Sequence, residues 1–92
     1  MYYLYVLVNP SGRIYIGQTD NLDYRLEQHQ NGEGGWTKSR GPWELFLHEN
    51  YATRAEAMRR EKALKSGRLN QELRRAIAQR GSTVERVLPR KD

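Results

Sequence analysis

The sequence predicts an α+β fold: a β-hairpin and a third strand, with helices segregated around them, in the order β-β-α-β-α-α. Three observations carry this. Two β-branched and aromatic runs, residues 2–8 and 13–18, flank the dense turn chemistry of Asn9-Pro10-Ser11-Gly12. A third such run covers residues 43–51. Helix start and stop signals follow the second and third runs.

Each element has its own signal. A three-residue loop, Pro10 to Gly12, makes the first two strands an antiparallel hairpin that pairs Val8 with Ile14, Leu7 with Tyr15 and Tyr5 with Gly17. Side chains alternate along a strand, so Leu4, Val6 and Val8 share one face and Tyr3, Tyr5 and Leu7 the other. Asp20 is read as an N-cap, with Asp23 in the first turn of a helix over about 21–30 that stops at Asn31-Gly32. Residues 32–41 hold four of the eight glycines and form a loop that carries Trp36, Lys38 and Arg40. Thr53 and Glu56 make a capping box for a helix that ends near Gly67. A third, basic helix covers 69–80 and is expected to end at Gly81, leaving a polar tail over 81–92 beyond a single domain, 1–80.

Composition narrows the function classes. The chain has 92 residues, enough for one modest core that buries roughly 60–65% of the unfolded surface. It has no Cys, which excludes a disulfide framework and thiolate zinc, and makes the cytosol the default expectation. No run approaches a transmembrane span, and no secretory leader is expected. Sixteen Lys+Arg against 11 Asp+Glu give a net charge of +5, and the pI is near 9.8. That balance points to a polyanionic partner.

Several residues are candidates for chemistry. Tyr5 faces Gly17 and lies diagonal to Tyr15, so two phenols stand beside a glycine that leaves space. Taken alone, such a pair is ordinary strand packing. Arg25 and His29 are i, i+4 on the first helix, a spacing that can grip a phosphate and orient a proton, or lie on a solvated face. In the second helix Glu61 is i+4 from Ala57, i+3 from Met58 and i−3 from Leu64, so it falls on the stripe that should enter the core. A carboxylate there costs several kcal/mol unless paired or metal-bound. Arg59, Arg60, Lys62 and Lys65 make a salt bridge possible; a hard divalent cation is the other solution, and both stay open on the residues alone. Trp43 is expected to pack at the start of its strand, and His48 at the sheet surface. Trp36, in the loop, is the candidate for stacking on a base.

Together these residues resemble the GIY-YIG nuclease superfamily, particularly its small stand-alone bacterial members. Tyr3-Leu4-Tyr5 stands for the first motif and Tyr15-Ile16-Gly17 for the second. Arg25, His29, the Pro42-Trp43 strand start and Glu61 within Arg60-Glu61-Lys62-Ala63-Leu64-Lys65 follow in order, over residues 1–78. The resemblance implies a three-stranded antiparallel sheet flanked by helices, and metal-dependent hydrolysis of phosphodiester bonds in DNA, ahead of RNA. It implies Glu61 as the ligand of one Mg²⁺ or Mn²⁺, Tyr5 and Tyr15 as the pair that positions or deprotonates water, Arg25 on the phosphate and His29 near it. Gly17, Trp36, Lys38, Arg40, Lys65 and Arg68 are expected to line the nucleic-acid path. Tyr3 and Leu4 replace the Gly and Ile of the first motif, and Gln18 stands where the repair-nuclease branch carries Lys. Asn70 is the one candidate for a late Asn known in the homing-endonuclease branch. A chain of this size leaves no room for an attached DNA-binding domain, so structure-selective activity, helped by a protein partner or by dimerisation, is expected. The alternative is a non-catalytic nucleic-acid-binding module of the same fold.

Overall fold

The computed structural model describes residues 1–32 and 41–84. Three strands, β1 (Tyr2–Val8), β2 (Ile14–Thr19) and β3 (Glu44–Tyr51), form one antiparallel sheet in the order β2-β1-β3. Three helices complete the set: α1 (Leu22–Gln30), α2 (Arg54–Leu64) and α3 (Gly67–Val84). The predicted element order and sheet are those observed.

The hairpin register is the one read from the turn: Val8 opposite Ile14, Leu7 opposite Tyr15 and Tyr5 opposite Gly17. Asn9 enforces it. Its side-chain oxygen accepts from the Arg13 backbone N–H at 2.8 Å, and its carbonyl accepts from Gly12 N–H at 3.0 Å. Gly12 sits at φ +85, where a side chain would be strained. On its other side β1 pairs with β3, with a bulge between Val6 and Leu7 that leaves Phe46 as the extra residue.

As the central strand, β1 is buried on both faces, with Leu4, Tyr5, Val6 and Leu7 all within 1% of full burial. Each such aliphatic side chain contributes about 1.5–3 kcal/mol relative to exposure. On one face Tyr5, Leu7 and Trp43 form a cluster against which Tyr15, Leu22, Leu26 and Leu45 pack, so α1 covers this side. On the other, Leu4, Val6, Val8 and Ile16 are buried. The helix α2 engages that second face. Gln18 and Glu49 both stand in register with Leu4, and they bond Arg54 and Arg60 of α2 respectively.

Helix ends follow local chemistry, with two corrections. Asn21, rather than Asp20, caps α1: its side chain accepts from Tyr24 N–H at 3.1 Å, while Asp20 lies 3.9 Å from Arg54. The third helix runs through Gly81 to Val84, because one glycine costs a helix only about 1 kcal/mol. The capping box is present as read, with Glu56 N–H bonding Thr53 Oγ1 and Thr53 N–H bonding Glu56 Oε1, each at 3.2 Å.

The chain gathers into two compact units, Met1–Lys62 and Ala63–Asp92. The sheet, α1 and most of α2 make up the first. In the second, Leu64 and Leu73 are buried, and Asn70 donates to the Leu64 carbonyl at 2.8 Å. Asn70 also accepts from Arg74 at 2.9 Å, so both ends of its amide serve local structure.

Candidate active site

Four of the predicted residues meet on the α1 side of the sheet. The Tyr5 hydroxyl and His29 Nε2 share a hydrogen bond of 2.9 Å. Ring centroids lie 6.1 Å apart for Tyr5–Tyr15, 5.7 Å for Tyr5–His29 and 4.9 Å for Tyr15–His29, a triangle of three rings. Gly17 makes the triangle possible. A Cβ there would stand 2.7 Å from the Tyr5 hydroxyl oxygen and 3.0 Å from Tyr15 Cε2. That glycine is buried beneath the phenols, so it clears space for them and does not face a nucleic acid as expected.

Burial sorts the four. Tyr5 and His29 are each 1% exposed, while Tyr15 and Arg25 are half-buried. The imidazole therefore sits behind the phenols, where it was expected at the phosphate. Leu22, Leu26 and His29 are spaced i, i+4, i+7, and that inward stripe carries the ring into the core. The groups that reach the surface are Tyr15 and Arg25.

The electrostatics follow from this packing. Burial, then the neighbouring Tyr15, pushes the Tyr5 phenol up to about 12, against a partial pull downward from Arg25. Burial and then the Arg25 charge lower His29, so the imidazole is neutral near pH 7. Burial alone would weaken the charged form of Arg25, but its interactions with Tyr5 and Tyr15 outweigh that and hold it more firmly protonated than usual. The cluster thus combines a neutral phenol–imidazole pair with one fixed positive charge.

Glu61 comes from a separate element, α2, and is bonded to neither Tyr5 nor Arg25. It is half-buried, and the apolar stripe around it is thinner than the spacing suggested, since Met58 is 51% exposed. Arg60, one of the cations weighed as its partner, forks onto Glu49 instead, with Nε–Oε1 at 3.0 Å and Nη2–Oε2 at 3.2 Å. Tyr51 donates to the same carboxylate at 2.6 Å. Among the described residues no three His, Cys, Asp or Glu gather into a metal cage. A single accessible carboxylate is nonetheless a donor set that suits a hard divalent ion carrying its own waters and a substrate phosphate.

Trp43 packs as expected, 3% exposed beside Tyr5. Its backbone is held by Gln30, whose side-chain Oε1 accepts from Trp43 N–H at 3.0 Å and whose Nε2 donates to the Trp43 carbonyl. His48 is exposed at the sheet surface, edge-on to Tyr3 at 6.3 Å. Lys65 and Arg68 are exposed in the second unit, where Arg68 pairs with Glu72 at 3.1 Å. Trp36, Lys38 and Arg40 lie outside the described residues. Two residues that sequence reasoning missed, Gln28 and Gln30, bind Arg25 and Trp43; neutral amides leave no charge or periodicity to find them by.

The fold is that of a nuclease-type α+β domain. The family model described as the GIY-YIG catalytic domain matches residues 1–74. The chain belongs to the GIY-YIG family, a nuclease family that acts on DNA and generally uses divalent metal ions. A UPF0213 protein of Bacillus pumilus (strain SAFR-032) is 42% identical over 66 residues, 71% of this chain and 67% of that protein. A UPF0213 protein of Clostridium perfringens (strain 13 / Type A) is 38% identical over 74 residues, 79% of this chain and 80% of its own. The solution NMR structure of a UPF0213 protein from Bacillus halodurans is similar with a TM-score of 0.51 and 32% identity, covering 84% of this chain and 85% of that one. Among the described residues no helix is long and apolar enough to cross a membrane.

Proposed function

We propose that the chain is a metal-dependent endonuclease that hydrolyses phosphodiester bonds in DNA and selects its substrate by structure, as in repair or recombination. The observation that carries the reading is the contact cluster itself: two phenols, a neutral imidazole and a guanidinium that no carboxylate neutralises among the described residues.

The roles follow from the chemistry of each group. Arg25, half-exposed and firmly charged, meets the non-bridging oxygens of the phosphate and offsets charge that develops there. Tyr15, which reaches the surface, positions the attacking water, with Tyr5 behind it. As that water gives a proton to the Tyr15 oxygen, Tyr15 passes its own to Tyr5 and Tyr5 passes its own to His29 Nε2, 2.9 Å away. The water oxygen bonds to phosphorus and the bond to the leaving oxygen breaks. His29 is a positioning and relay group, since its burial keeps it from the substrate. Glu61 would hold the divalent ion, which when bound polarises a phosphoryl oxygen.

The burial of Tyr5 and His29 favours one second reading, a nucleic-acid-binding module of the same fold that presents only Arg25 and Tyr15. Incubation with single-stranded, duplex, flap and four-way-junction DNA, and with RNA, with and without Mg²⁺ or Mn²⁺, separates the two. Metal-dependent cleavage that Glu61→Ala abolishes, while low-salt binding persists, supports the nuclease. Binding with no cleavage of any substrate gives the second reading, and undiminished cleavage by Glu61→Ala removes the metal-ligand role.

A further inference from the structure

Arg25 and Arg60 are both half-buried. Their partners differ in kind. Arg60 grips the Glu49 carboxylate. Arg25 donates from Nη1 to the Gln28 side-chain oxygen at 2.8 Å, three residues on along α1. A guanidinium only donates, so the amide oxygen must face it, which turns the Gln28 Nε2 the other way. There it donates to the Tyr24 hydroxyl at 3.3 Å. Tyr24, Arg25 and Gln28 are thereby linked on one side of the helix, at i, i+1 and i+4.

We propose that Gln28 is the positioning residue for Arg25: its neutral amide, oriented by Tyr24, aims the guanidinium while leaving its charge free for a phosphodiester of the nucleic acid. This rests on the reading that Arg25 meets the phosphate. A carboxylate at position 28 would aim the fork equally well but would compete with the phosphate for it. An apolar residue would spare the charge but remove one restraint on the long side chain beside those from Tyr5 and Tyr15, and phosphate binding would then have to restrict the freedom regained. The amide avoids both costs.

A double-mutant cycle tests this. The dissociation constant of a labelled single-stranded DNA oligonucleotide is measured in EDTA at fixed salt for the wild type, Arg25→Ala, Gln28→Glu, Gln28→Ala and Arg25→Ala/Gln28→Glu. Arg25→Ala and Gln28→Glu should each weaken binding about tenfold, and Gln28→Ala about threefold. The double variant should bind no more weakly than Arg25→Ala, because the new carboxylate acts through the guanidinium. If Arg25→Ala binds like the wild type, the phosphate role of Arg25 fails and the proposal goes with it. If Arg25→Ala is impaired and Gln28→Glu is not, Arg25 stays in the site and Gln28 leaves it. Full additivity in the double variant would mean that Glu at 28 merely repels the strand, and that overturns the proposal as well.

Discussion

The two faces of the sheet use the same parts to opposite ends. Each brings a half-buried arginine from a helix to a tyrosine on a strand: Arg25 to Tyr5 and Tyr15, and Arg60 to Tyr51. On the α2 face Glu49 stands between them. Burial alone would raise its carboxyl, but hydrogen bonds from Arg60 and Tyr51 hold it below the usual carboxylate range. That charge is closed, and the network serves the fold. On the α1 face no described carboxylate answers Arg25, and the phenol and imidazole beside it are neutral. Tyr5 and Tyr15 outweigh the desolvation of Arg25 without neutralising it, so its positive charge stays available to an anion.

Substitutions on the two faces should therefore separate rate from stability. Tyr5→Phe removes the hydroxyl that links water to His29, and cleavage should fall about 100-fold or more with the circular dichroism spectrum unchanged. An unaltered rate would reduce Tyr5 to packing. Gly17→Ala acts on both properties. Its methyl enters the space of a buried, hydrogen-bonded phenol, so a loss of about 1–3 kcal/mol is expected in urea titration, together with reduced cleavage. On the opposite face Arg60→Ala should cost about 1 kcal/mol, given the partial exposure of the pair, and leave cleavage per folded molecule intact. A catalytic loss there would break the distinction between the faces.

The smallest effect is a pH slope. His29 titrates below its ordinary 6.5 in the folded chain, so the unfolded chain takes up the proton first. Its contribution to stability is complete above about 6.5 and is lost as the pH falls from there toward the folded value. The urea midpoint should drop between pH 7.5 and 5.5, and His29→Gln should flatten that drop. Tyr5 gives the mirror case at the alkaline end: raised from 10.0 to about 12, it withdraws stability as the pH climbs between those values.

Much of this was legible before any coordinates. The turn residues Asn9 to Gly12 determined the hairpin register, and the register put Tyr5 over Gly17 beside Tyr15. Thr53 and Glu56 announced α2. Where reading failed, two signals competed or none existed. Asp20 and Asn21 are adjacent cap formers, and only backbone geometry selects between them. His29 looked like a surface group because it was paired with Arg25; counted with Leu22 and Leu26 it belongs to the buried stripe. Met58 looked like core by spacing, yet a helix laid on one sheet face needs only a narrow apolar seam, and there Ala57 is fully buried while Met58 is 51% exposed.

Gln30 has a consequence for engineering. Its side-chain amide bonds both the N–H and the carbonyl of Trp43, so it behaves as a stray peptide unit stitched to the head of β3. The last residue of α1 and the buried indole beside Tyr5 are thus fastened to each other directly, independently of the chain that runs between them. A redesigned variant should therefore keep Gln30, since replacing it would take both bonds from the Trp43 backbone at the edge of the ring triangle.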